Sequence, residues 1–351
     1  MNSSEFAGSV STQAPVFGIR IPPCADVRTA GAAARAAEEA GFEIAWYPDS
    51  QFLWRDVWAT LTVAALETRS IRVGSCVTTF ETRHPSVTAA ATRTVAEIAP
   101  GRTILGVGSG DSAIKLLGMK PTRLAGMRRN IAAVRRLLEG HPADYGGREI
   151  HLHGKVSTPV PVYMAATGPK ALQLAGEIAD GVIVLAGLAQ PLVERALGHI
   201  RDGAARAGRS LEDLDICVGT FCHITDDPTE AARVAKPVCV GLAQVGATGA
   251  LQLAGIEIDV PAVVPDVYPD MTHAEDWMHA AEVAGRWVSD EDGRRYAERF
   301  CVVGTAEECT EKIRRARDAG VRNFYIRGFP SYELPLDLIE VFGSDIIPAV
   351  T

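Results

Sequence analysis

Four stretches of this chain gather residue types that do chemistry, each at a strand-to-helix turn. In WYPDSQFLWRD, Asp49 can accept hydrogen bonds from a ring or a polyol, and Trp54 offers a flat face for stacking. Taken alone, the pair serves equally well as a turn cap and an ordinary core side chain. In GVGSGDSAIKLLG, Gly108 and Gly110 let backbone approach a ligand on either side of Ser109, and Asp111 adds a carboxylate. Position 111 is not glycine, so the dinucleotide fingerprint is not met, and helix capping is the plainer role for Asp111. In AATGPKALQLAGEIADG, the amides around Ala166, Thr167 and Gly168 and the Thr167 hydroxyl open a helix, with Pro169 suited to its first turn. A helix N-terminus carries partial positive charge, so phosphate is the natural ligand there, against a simple capped helix. The fourth stretch, SCVTTF, holds Cys76, Val77 and Thr78; propensity gives it no role, and Cys76 reads as an inert buried thiol. His84, just before Pro85, reads as a cap or surface residue rather than a base.

Other chemistries have less support. HExxH, GxSxG and paired-cysteine zinc patterns are missing, which argues against protease, esterase and metal-hydrolase readings, and no metal is expected. Seven cysteines without a CxxC pair suggest neither a disulfide framework nor a zinc site, and fit a reducing cytoplasm. A net charge of -8 argues against gripping nucleic acid or anionic lipid. No run reaches the ~18 apolar residues of a membrane helix. Hydrophobic residues at 47% and charged residues at 22% match a globular protein with a large core. The polar opening predicts a loose tail over residues 1–14, with the domain spanning 15–351.

The elements that must position these residues alternate regularly. Strand-like runs fall at Phe17 to Ile21, Ile44 to Tyr47, Ile71 to Val77, Thr103 to Val107, Val160 to Ala165, Val182 to Leu185, Leu214 to Ile224 and Asn323 to Ile326. Ala-, Leu- and Arg-rich helical stretches lie between most of them, as parallel strands require. Eight such units favour a single closed (β/α)8 TIM barrel of the α/β class; seven or nine would reopen the choice of a doubly wound sheet. Gly41, Gly181 and Gly320 are expected as left-handed helix stops. The stretch from Asp226 to Phe300 is too long for one crossover and reads as an insertion between strands 7 and 8, near the barrel mouth. Its Tyr268, Trp277 and Trp287 suit either a substrate cover or a core.

Taken in order, AEEAGFEIAWYPDS, RTILGVGSGDS, MAATGPKALQLAGEIADGVIV and CVVGTAEECTEKIRRARDAGV resemble the luciferase-like superfamily over about Phe17 to Gly328. The nearest branch is that of methylenetetrahydromethanopterin reductase and the coenzyme F420-dependent oxidoreductases. The resemblance implies Asp49 and Trp54 beside a deazaflavin ring and a non-prolyl cis peptide at Cys76–Val77 bulging against it, followed by Thr78. It further implies Gly108, Ser109 and Asp111 near the ring, and a phosphate held at Ala165, Ala166, Thr167 and Gly168, with Asp49, Asp111 and Trp54 as the catalytic candidates. Many members carry His directly after the strand-two Asp, where this chain has Ser50 and then Gln51, leaving the proton donor open. The implied activity is hydride transfer between F420 and a small organic substrate, by a homodimer. An FMN-dependent monooxygenase of the same fold, fed by a reductase partner, is the alternative; a non-catalytic flavin-binding barrel ranks third.

Overall fold

The structure, a computed structural model, describes residues 14–185 and 187–351, so all of the expected tail except Ala14 lies outside the described residues. Eight parallel strands close into a barrel: β1 (Val16–Arg20), β2 (Ile44–Tyr47), β3 (Arg72–Ser75), β4 (Thr103–Gly108), β5 (Val162–Ala166), β6 (Gly181–Val184), β7 (Asp215–Ile224) and β8 (Asn323–Gly328). Each pairs in parallel with the next, and β8 pairs with β1 to complete the ring. Helices wrap the outside and bury the larger apolar cluster between themselves and the strands.

Period-two alternation fills the inside in layers. At the amino-terminal end, Asp215 accepts from Asn323 Nδ2 at 2.9 Å and from the Tyr163 hydroxyl, and lies 3.5 Å from the Arg72 guanidinium. Above this polar layer Trp46, Tyr163 and Tyr325 pack with Ile44, Ile104, Ile183 and Cys217. Trp46 fits because both neighbouring strands carry glycine: a Cβ on Gly18 or on Gly74 would come within 2.6 Å of the indole. Gly181, expected as a helix stop, does a similar service. It does not adopt positive φ; it opens β6, where a Cβ would meet the Tyr163 ring at 2.7 Å. The other two expected stops are left-handed, Gly41 at φ 91° and Gly320 at φ 107°.

The expected third strand is broken. After Ser75 the Cys76–Val77 peptide is cis, and the chain resumes at Thr78–Thr79, which pairs with Val107 and Gly108 of β4. Gly106 and Gly108 permit this detour, since a Cβ on the first would lie 2.0 Å from the Ser75 carbonyl oxygen and one on the second 2.6 Å from Val77. The space freed at Gly108 is therefore taken by Val77.

Between β7 and β8 the chain forms helices Pro228–Gln244, Thr248–Leu253, Trp277–Ala284 and Asp290–Phe300, with a short strand, Val302–Gly304, paired to the extended tip of β7. They enclose a second apolar cluster beside the barrel mouth. Trp277 belongs to this core and donates from its indole to Val234 O at 3.1 Å, whereas Tyr268 is exposed. A hairpin of Ala143–Tyr145 and Arg148–Ile150 and the closing helical turns after Leu336 add elements that periodicity did not reveal.

Candidate active site

The carboxyl ends of the strands bring the sequence-derived candidates to one mouth. Asp49 follows β2 and accepts from the Thr78 hydroxyl at 2.6 Å, so the loop after β2 is pinned to the far side of the cis peptide. Arg83 lies 3.6 Å from the same carboxylate oxygen and 2.5 Å from Asp56, which itself caps helix Val57–Glu67. Burial raises the Asp49 carboxyl above its ordinary value, against the opposing hydrogen bond from Thr78 and the charge of Arg83. Burial likewise pushes the Cys76 thiol up to about 11, so it stays protonated at neutral pH.

Ser50 is almost wholly buried, and its Oγ has no partner among the described residues. Gln51 donates to Ala113 O at 2.8 Å, tying the loop after β2 to the one after β4. Trp54 is buried with its indole N–H on Ser331 O at 2.8 Å; the Arg20 guanidinium sits 5.0 Å from its ring and His273 meets it edge-on at 5.9 Å.

Asp111 stands at the start of the short helix Ser112–Lys115 without capping it, and instead pairs with Lys115. It opens on a cavity of about 140 Å³ shared with Phe221, Asp270, His273 and Arg327. Across the mouth, Ala166 ends β5, and the helix Pro169–Ile178 begins at Gly168 with no side-chain cap. Its first amides thus keep free donors. Thr167 and Gly168 border a smaller cleft of about 90 Å³ with Arg195 and His199, and Arg195 makes no ion pair among the described residues. His84, by contrast, caps helix Pro85–Ile98 through Nδ1 and packs on Tyr145.

Sequence reasoning missed three groups here. His273 and Asp270 arrive from the insertion, with Nδ1 2.9 Å from Oδ1, and form a dyad in which the buried His273 lies against Trp54 and Asp270 is half-buried. Burial alone would raise the Asp270 carboxyl, but the hydrogen bond and charge of His273 reverse this and hold it well below the usual carboxylate range. The other two are Arg20 and Arg327, at the ends of β1 and β8.

The profile of the luciferase-like monooxygenase family matches residues 4–323. The chain belongs to this luciferase-like family. Among its relatives, the 5,10-methylenetetrahydromethanopterin reductase of Methanolobus tindarius is 31% identical over 94% of this chain and 99% of its own length. The F420-dependent glucose-6-phosphate dehydrogenase of Beutenbergia cavernae is 32% identical over 75% of this chain and 80% of its own. The solved structure of the coenzyme F420-dependent tetrahydromethanopterin reductase from Methanopyrus kandleri superposes with a TM-score of 0.75, at 27% identity, over 97% of this chain and 100% of its own. This luciferase-like chain therefore shares the barrel of oxidoreductases along nearly its whole length.

Proposed function

We propose that this protein is a coenzyme F420-dependent oxidoreductase that transfers a hydride between the deazaflavin and a small organic substrate. The observation that carries the proposal is the near full-length similarity to a 5,10-methylenetetrahydromethanopterin reductase, together with similarity over three quarters of the chain to an F420-dependent dehydrogenase.

The residues present suit such a cofactor. The uncapped amides at Thr167 and Gly168, with unpaired Arg195 beside them, suit a phosphate. The Cys76–Val77 bulge, fixed by Thr78 to Asp49, offers a backing for a flat ring, and the orphaned Ser50 Oγ offers a hydroxyl that awaits a partner. When bound, F420 supplies a two-electron hydride chemistry that does not activate oxygen. Asp49 and Thr78 orient; Trp54 and the insertion exclude water from the mouth. For the proton, His273 stands with its Nδ1 held by Asp270, so Nε2 faces away from that partner as the exchanging atom. Asp111 across the same cavity is the second candidate.

The reading extends to a homodimer in the cytoplasm, with residues 15–351 as one domain and the 226–300 segment as its cover. Among the described residues, no helix is long and apolar enough to cross a membrane. Parallel titrations with oxidised F420 and with FMN test the reading: tight binding of F420 with weak or no binding of FMN is expected. Tight binding of FMN alone would replace it with the monooxygenase.

A further inference from the structure

The β8–β1 wall of the mouth carries two guanidiniums that pair with no carboxylate among the described residues. Ile19 of β1 is level with Ile326 of β8, and Gly18 with Tyr325, whose ring lies in the barrel interior. One step further along the two strands, Arg20 and Arg327 are therefore neighbours on that same inner face, at the carboxyl-terminal rim. Arg20 is 2% exposed and makes no side-chain hydrogen bond or ion pair among the described residues. The Arg327 Nε is buried and also without a partner among the described residues. Burial first, and then the charge of Arg327, draws the Arg20 guanidinium down to about 10.

Like charges side by side on adjacent strands repel, and an unpaired guanidinium out of water is costly. The acids of the mouth do not relieve them, because Asp49 is engaged with Thr78 and Arg83, Asp270 with His273, and Asp111 with Lys115. Glu230, Glu275, Asp276, Glu333 and Asp337 line the cleft of about 540 Å³ on which Arg20 opens, and none pairs with it. Both guanidiniums are held by aromatic faces, Arg20 on Trp54 at 5.0 Å and Arg327 on Phe221 at 4.2 Å. A ring face attracts a guanidinium without the in-plane acceptors of a carboxylate, to which its planar N–H fork is matched.

We propose that Arg20 and Arg327 form a binding site for a carboxylate of the substrate. The assignment to substrate rests on the proposed function, in which the cofactor occupies the opposite wall, formed by β3 to β5.

Isothermal titration of the purified protein, with and without saturating F420, using benzoate and separately inorganic phosphate as probes, tests this. Benzoate is expected to bind, with its affinity lowered roughly ten- to hundredfold in Arg20→Met and in Arg327→Met, while F420 affinity stays within about twofold. Both substitutions are also expected to raise the Tm of the unliganded protein by relieving repulsion. Arg327→Lys, which keeps the charge but not the fork, should bind benzoate more weakly than wild type and better than Arg327→Met. The proposal is overturned if wild type binds neither probe, if the methionine variants bind benzoate as wild type does, or if they lose F420 instead. Phosphate binding tighter than benzoate would overturn the carboxylate assignment. Failure of wild type to bind F420, with the benzoate results as expected, would overturn the cofactor reading and leave the arginine site standing.

Discussion

The two ends of the barrel interior hold inward-facing charge in opposite ways. At the amino-terminal end, Asp215 is met by Arg72, Asn323 and Tyr163 together. At the carboxyl-terminal end, among the described residues, Arg20 and Arg327 stand without an acid, and Ser50 Oγ without any partner. Both ends use the same period-two alternation, so the difference lies in whether the inward charge meets an opposite charge among the described residues. The closed end serves stability, and the open end leaves its unmet groups for a ligand, as expected of a barrel whose chemistry sits where the loops converge.

The largest effect belongs to the detour that shapes the open end. Gly106→Ala would press a methyl against the Ser75 carbonyl oxygen, a backbone atom that has little room to retreat. A loss of about 3 kcal/mol or more is expected, read as a lower Tm with loss of F420 binding.

Asp215→Ala comes next. It strands three donors at the closed end and should cost about 2–3 kcal/mol in denaturant unfolding, with F420 affinity unchanged. Set beside it, Arg20→Met should gain stability; an equal loss in both variants would break the contrast between the two ends.

Asp270 provides a pH test. Its folded pKa is depressed below the unfolded value, so the stabilisation is present above the ordinary carboxylate range and is lost as pH falls through the folded pKa. Asp270→Asn should therefore be less stable than wild type at neutral pH, by about 1–2 kcal/mol, with the two stability curves converging in acid. A constant difference from neutral pH down to acid would remove the dyad from the account.

The smallest effect is expected at Ser50, where Ser50→Ala should alter stability by no more than about 0.5 kcal/mol because no hydrogen bond is lost. A weaker F420 complex in that variant would sharpen the contrast by making the orphaned hydroxyl a ligand contact.

Much of the open end was legible because its parts are local. The turn after β2, the glycine pair of β4 and the helix opening at Thr167 each lie within a short stretch of chain, and the eight-unit alternation sets them on one face. The glycines were harder to interpret: Gly108 accommodates Val77, and Gly181 accommodates Tyr163 instead of ending a helix, because steric demand inside the barrel is invisible in a local window. The opposing wall depends on contacts far apart in sequence. Trp54 reaches Ser331, beyond β8, and is met by His273 from a segment that reads only as a Pro-rich insertion. Arg20 and Arg327 did leave a signal. GIR ends β1 and YIR nears the end of β8, so a period-two reading of adjacent barrel strands would have turned both arginines inward.

Amide hydrogen exchange on the protein with and without F420 tests the central claim most directly, because it reports which wall the cofactor covers. Protection is expected at Ser75 to Thr79, Ser109 to Ser112 and Thr167 to Leu172, with the ends of β1 and β8 unchanged. Protection at Arg20 to Pro23 and Arg327 to Phe329, with none at the helix opening after Thr167, would contradict the account.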